Sequence, residues 1–294
     1  MNCLTKQATI ISVGSGKGGT GKSFFSYLLA TNLARSGRKV LLFDGDLGCA
    51  NLHTLCGAPK TLHTLSDFFT EKRSLEEIAF QTSTPNLSLI SGAADSLTIT
   101  NLSYVQKTKL LHHLENLPYD FIVIDVGPEI SYNSLDFYIL GDCKFLVLNP
   151  EQVSLENCYR FLKAALLREF ALSVGVKKSR SLFHDKVIDP FSNVQEMYQY
   201  MMDKDKGLRD TFRKVFNETE FYIVLNKEFG DESAVARSFE EIVEKYLTVN
   251  INYLGSIPFD VKVIEAYKKT ASVNEIENIS AAASKISEKF LRIL

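Results

Sequence analysis

The stretch VGSGKGGTGKS, residues 13–23, decides the fold. Gly16, Gly21, Lys22 and Ser23 satisfy G-x-x-x-x-G-K-[ST], a loop whose backbone N–H groups cradle phosphates. Its last lysine and hydroxyl serve the terminal phosphates and Mg²⁺. Lys17, Gly18, Gly19 and Thr20 complete the loop. The β-branched run ATIISVG precedes it, and a helical pattern follows, with Phe25, Leu28, Leu29 and Leu33 at i, i+3/4 spacing and a stop at Gly37. Strand, glycine loop and helix in that order predict a phosphate site at a helix N-terminus. A dinucleotide turn fits GSGKGG only superficially, because Lys22 and Ser23 are triphosphate and metal groups. Lys17 is a second lysine that the pattern does not require.

Outward from the loop, short apolar runs alternate with amphipathic segments: KVLLFDGD, NLSLISG, DFIVIDVG, CKFLVLNP, FYIVLN and VNINYLGSIP. That alternation predicts an α/β fold, a mostly parallel doubly wound sheet with helices on both faces, and places ligands at the carboxyl ends of strands. Asp44 and Asp46 end the second run, two residues apart. In an extended strand both would point to one side, Asp44 toward a Mg²⁺ shell and Asp46 toward an attacking water. The plainer reading of the two is a turn-forming pair. Asp125, after four apolar residues, has the form of a Walker-B carboxylate beside Mg²⁺. Asn226 and Pro258 end the last two runs and could flank a base, or simply end their strands.

With 294 residues and 45% hydrophobic content, the chain is long enough for a sizeable core. One domain spanning 1–294 is expected, with a helical insertion at 171–218 where the alternation breaks. The insertion reads either as a longer connection or as a partner-binding element. A formal charge of −2 gives no bulk positive field for nucleic acid. Five cysteines without a C-x-x-C pair argue against a disulfide framework and against a zinc or iron–sulfur cage, and the histidines show no ligand spacing. No signal segment or spanning stretch is present, so a soluble cytoplasmic protein is expected.

With Lys17 included, GKGGTGKS resembles the deviant Walker A motif of the MinD/ParA family. DGDLGCANLHTLCG, NPEQVSLENCYRFLKAA and GSIPFDVKVIEAYKK look like its MinD/FlhG branch. The resemblance implies a P-loop ATPase that binds ATP and Mg²⁺ and dimerises face to face with a second copy. Lys17 would reach the partner's phosphates, Lys22 and Ser23 would serve the local nucleotide, and Asp46 would assist hydrolysis. It further implies an activating protein partner and a role in positioning a cellular structure.

Three features depart from that pattern. The second switch reads DVGPEIS, so Glu129 adds a negative charge beside the site. The chain opens a few residues before its first strand, without the extension by which FlhG proteins engage a flagellar GTPase, which turns the expectation away from a flagellar role. Ile279, Ala283, Ile286, Phe290 and Ile293 form a stripe at the end of the chain. A core-facing helix accounts for that stripe better than a membrane-binding one, with peripheral attachment at the inner face of the membrane as the alternative. Two other functions stay open. A ParA-like DNA partitioner would need a basic surface from Lys177, Lys178, Arg180, Lys268 and Lys269. A non-hydrolysing scaffold would bind ATP only to dimerise.

Overall fold

The computed structural model describes residues 8–48, 50–59, 63–92, 102–183, 193–269 and 273–294. Its centre is a sheet of eight strands among the described residues: β1 (Thr9–Gly14), β2 (Val40–Gly45), β3 (Phe80–Gln81), β4 (Leu87–Ile90), β5 (Phe121–Val126), β6 (Cys143–Leu148), β7 (Glu220–Glu228) and β8 (Asn250–Pro258). The order is β3-β4-β2-β5-β1-β6-β7-β8. All neighbours run parallel except β3 with β4. The two-residue antiparallel strand β3 was not foreseen, because periodicity has no meaning over so short a run.

The strands are near-continuous apolar runs because helices cover both faces. Side chains alternate between the faces with period two. Ile10, Leu41, Phe43, Ile122 and Ile124 join one core, while Ile11, Val13, Val40, Leu42 and Val123 join the other. On the second face the helix Lys22–Arg35 and the terminal helix Glu277–Ile293 lie side by side, the terminal helix packing directly on β8. The i, i+3/4 spacing marked four core positions on the first of these helices. Phe24 and Tyr27 are buried as well, because a neighbouring helix covers the side that the spacing left outward.

Ile279, Ala283, Ile286 and Phe290 of the terminal helix are buried in that same core, whereas Ile293 is exposed. The fifth residue of the stripe is the last of the helix and turns to solvent. No helix among the described residues is long and apolar enough to cross a membrane.

The opposite face carries the helices Tyr104–Glu115, Tyr132–Leu140, Gln152–Val174 and Ser233–Leu247. Between residues 171 and 218 the chain forms the end of Gln152–Val174 and then Val176–Leu182, Val194–Lys204 and Arg209–Phe216. Leu182, Met197, Met201, Phe212 and Phe216 from this stretch pack into the same core as Phe170. Their aromatic rings interlock, with Phe212 and Phe216 stacked at 4.5 Å between centroids.

β1 sits between β5 and β6, so the chain leaves it at the point where strand order turns from one side of the sheet to the other. A crevice opens there, outside the carboxyl ends of the strands.

Candidate functional site

Residues 15–21 link β1 to the helix Lys22–Arg35 across that crevice. The helix is preceded by Gly21 in a left-handed conformation (φ 93°), which supplies no side-chain cap, and its first turn holds no acidic residue. The N–H groups of the first turn thus face the crevice and favour an anion. Gly16 is also left-handed (φ 72°), and a Cβ there would collide with the carbonyl oxygen of Asn157. Gly18 and Gly19 form the outer crest of the loop, where a Cβ would meet nothing within 4 Å.

The loop is braced from within. Thr20 Oγ1 donates to Ser15 Oγ at 2.9 Å, and Ser15 Oγ donates to the carbonyl of Lys17 at 2.9 Å. It is also braced from β7, where Asn226 Nδ2 donates to the Thr20 carbonyl at 2.7 Å and Lys227 Nζ to the Gly19 carbonyl at 2.8 Å.

Lys22 is buried, and its Nζ donates to the Lys17 carbonyl at 3.1 Å. Burial pulls its pKa down, against the opposing attraction of Asp125 and then Asp46. Asp125, at the end of β5, accepts hydrogen bonds from Ser26 Oγ at 3.2 Å and from the Ser23 hydroxyl. Burial pushes its carboxyl up to about 6, partly offset by Ser23 and Lys22. Ser23, Lys22 and Asp125, predicted separately from two motifs, therefore converge on one spot.

Asp44 and Asp46 part company. β2 ends at Gly45, so the strand alternation does not extend to Asp46. Asp44 is fully buried, and its carboxylate accepts the backbone N–H groups of Asp46 and Leu52, each at 3.2 Å. Burial, followed by the charge of Asp125, raises its pKa well above the usual carboxylate range. Asp44 thus braces the turn that carries Asp46. Asp46 is half-buried and lines a cavity of about 300 Å³ with Gly127, Pro128, Glu129 and Ser131 from the segment after β5.

Lys17 lies on the outer side of the loop, its Nζ 3.6 Å from Glu151 at the start of Gln152–Val174. Glu151, Lys227 and Ser15 were not foreseen as site residues. Each lies at a strand or loop end, and only tertiary packing shows what it touches. Asn226 and Pro258 stand at the ends of adjacent strands, with Asn226 in register with Ile257. The amide nitrogen of Asn226 is turned to the loop.

Among the described residues no group of three or more His, Cys, Asp or Glu side chains is placed to hold a metal. A hydroxyl beside one or two carboxylates is nevertheless the hard-oxygen set that Mg²⁺ takes when nucleotide phosphates supply the rest. Ser23 and Asp125 fit that requirement.

The CobQ/CobB/MinD/ParA nucleotide binding domain matches residues 11–273. The antiactivator FleN of Pseudomonas aeruginosa is 24% identical over 271 residues, 90% of this chain and 79% of its own. The septum site-determining protein MinD of Buchnera aphidicola is 28% identical over 195 residues, 65% of this chain and 67% of its own. The structure of MinD from Pyrococcus horikoshii, complexed with Mg-ADP, superposes with a TM-score of 0.65 at 22% identity, covering 97% of both chains. With the phosphate loop, the paired acidic strand ends and the parallel sheet in place, the chain belongs to the CobQ/CobB/MinD/ParA nucleotide-binding family and is a P-loop ATPase of the MinD/ParA type.

Proposed function

We propose that the chain is an ATP-dependent switch: it binds Mg²⁺·ATP, pairs face to face with a second copy, and hydrolyses the nucleotide to end the paired state. The observation that carries this reading is the convergence of Lys22, Ser23, Asp125 and Asp46 at the carboxyl ends of β1, β5 and β2.

The loop N–H groups and Lys22 hold the β- and γ-phosphates. Ser23 and Asp125 would hold the metal, with Asp44 as a further carboxylate behind them. Mg²⁺ neutralises charge on the phosphate oxygens when bound. Asp46, on the wall of the cavity between the two switch segments, orients the attacking water, and such positioning supplies most of the acceleration in phosphoryl transfer. Lys17 stands outside this set, so its charge is available to the phosphates of the facing copy. Asn226 and Pro258 border the base.

The cellular role is the spatial positioning of a structure, as the names of the septum and flagellar relatives suggest for those proteins. An activating protein is the expected partner, and the 171–218 helices are the candidate surface for it within a single domain. The DNA-partitioning reading is weaker: Lys178 is paired with Asp205 at 2.8 Å, while the side chains of Lys268 and Lys269 lie outside the described ones. Membrane attachment through the terminal helix is likewise not favoured, because its apolar stripe packs into the core. The protein would act in the cytoplasm.

The test compares the parent chain with Asp46→Ala. The parent should form an ATP-dependent dimer that decays with turnover. Asp46→Ala should bind Mg²⁺·ATP and stay dimeric, with turnover reduced by about 10² or more. A parent chain that neither binds nor hydrolyses ATP would overturn the reading. Turnover in Asp46→Ala within threefold of the parent would move the water-positioning role to Glu129.

A further inference from the structure

A largely buried cluster of three charged side chains joins the second switch to the flank of the phosphate loop. Asp136, on the helix Tyr132–Leu140, has a side chain only 5% exposed. It accepts a bidentate pair of hydrogen bonds from Arg168, Nε at 2.7 Å and Nη2 at 3.0 Å, and an ion pair from Lys107. Lys107 comes from Tyr104–Glu115 and Arg168 from Gln152–Val174, so three helices meet at one carboxylate.

The cluster also grips the start of the switch helix. Lys107 Nζ lies 3.5 Å from the carbonyl of Tyr132 and 3.4 Å from Asn133 Oδ1. The Arg168 guanidinium lies over the Tyr132 ring, 4.7 Å from its centroid. One residue on, Ser134 is capped by Ser131 at 3.2 Å. Asn133, Ser134 and Ser131 line the cavity that also holds Asp46. At its other end, Gln152–Val174 puts Asn157 against Gly16 and begins beside Glu151, the residue paired with Lys17. From Asn157 to Arg168 is about 16 Å along a helix.

A merely stabilising cluster would be an inefficient choice, since a buried ion group is often matched or bettered by apolar residues of similar size. What apolar residues cannot supply is direction. A guanidinium fork on a carboxylate, a stacked ring and an ammonium on a helix carbonyl together fix the roll and height of the switch helix.

We infer that Asp136, with Lys107 and Arg168, is a positioning residue for hydrolysis, holding the second switch and the helix beside the phosphate loop as one body so that Asp46 and its water stay aligned. The inference rests on the ATPase reading above. A displacement of about 1 Å at a reacting centre can cost on the order of 10² in rate, so a cluster remote from the chemistry can still govern it.

The test separates direction from stability. The triple variant Lys107→Met, Asp136→Leu, Arg168→Met removes all three charges together and leaves no unpaired ion. It should melt near the parent temperature and bind Mg²⁺·ATP within threefold, while kcat falls at least tenfold with KM unchanged. Arg168→Lys, which keeps the charge but loses the fork and the stack, should show the same split more mildly, and it decides the matter if the triple variant does not fold. A folded triple variant, or failing that Arg168→Lys, with kcat within threefold of an active parent overturns the inference and leaves the ATPase reading intact. A parent with no turnover overturns both.

Discussion

Asp44 and Asp125 stand in register across the parallel strands β2 and β5, both buried, each with its charge disfavoured by burial. Two carboxylates in such a place are kept by what they bind: Asp44 by two backbone N–H groups, Asp125 by Ser23 and Ser26.

The first prediction separates the hydrogen-bonding role of Asp44 from its charge. Asp44→Asn removes the buried charge but keeps only one of the two acceptors, its amide nitrogen facing the other N–H, so it should be destabilised less than Asp44→Ala. Asp44→Ala leaves the N–H groups of Asp46 and Leu52 without their acceptor, which costs about 1–3 kcal/mol. Urea midpoints measure the difference, and equal stability of the two variants would show that the bonds to the turn are unimportant.

Lys17 and Glu151 form a partly exposed pair, with side chains 38% and 62% accessible. Pairs of that kind contribute little to stability. Glu151→Gln should therefore melt near the parent temperature. Lys17→Ala should also fold and bind nucleotide, because Lys22 and the loop amides remain, but it should fail to dimerise with ATP. Light scattering that shows an ATP-dependent dimer of Lys17→Ala would remove the role across the interface.

Gly16→Ala asks whether the loop can tolerate a side chain at its inner bend. The left-handed φ of 72° and the approach of Asn157 and Phe161 both oppose it. Nucleotide affinity should fall at least tenfold, with a lower melting temperature. The same substitution at Gly18, where a Cβ would meet nothing within 4 Å, should leave folding unchanged.

Phe290 is fully buried and contacts the rings of Phe145 and Tyr222 at 5.0 and 5.6 Å. Phe290→Ala should cost about 3–5 kcal/mol in denaturant unfolding. Ile293→Asp, three residues on at an exposed position, should change stability by about 0.5 kcal/mol or less. A near-neutral Phe290→Ala would mean that the terminal helix does not belong to the core in solution.

Cys56 and Cys158 are buried, and burial raises both thiols, Cys56 to about 12. Burial disfavours the thiolate, which is the reactive form, so the folded chain should leave both unmodified by iodoacetamide at pH 8. Unfolding in urea should make both react at the rate of ordinary cysteines. Peptide mapping of the modified sites reads this directly, and fast modification of either in the folded chain would contradict its burial.

The phosphate loop, the order of strands and helices, and the carboxylates at strand ends were all legible in the sequence. Each is a local property: a glycine needed for a left-handed turn, a period of two or 3.6, an acidic residue where an apolar run stops. Asp44 shows where this local reading ends. Residue spacing treated Asp44 and Asp46 as two residues of one strand, but the strand stops between them, and the N–H groups of Asp46 and Leu52 in the turn bond to the two oxygens of Asp44.

What tertiary structure alone decided are the meetings between distant segments. Lys227 and Asn226 reach back more than 200 residues to hold the loop, Glu151 faces Lys17, and Asp136 gathers Lys107 and Arg168 from two other helices. None of these has a sequence signature, because a lone charged or amide residue at a helix or strand end is indistinguishable from a solvated one until packing supplies its partner. The sequence determined which chemistry the chain carries and the scaffold that presents it. Sheet order and helix packing determined which side chains lie close enough, and far enough from water, for their charges and hydrogen bonds to act on one another.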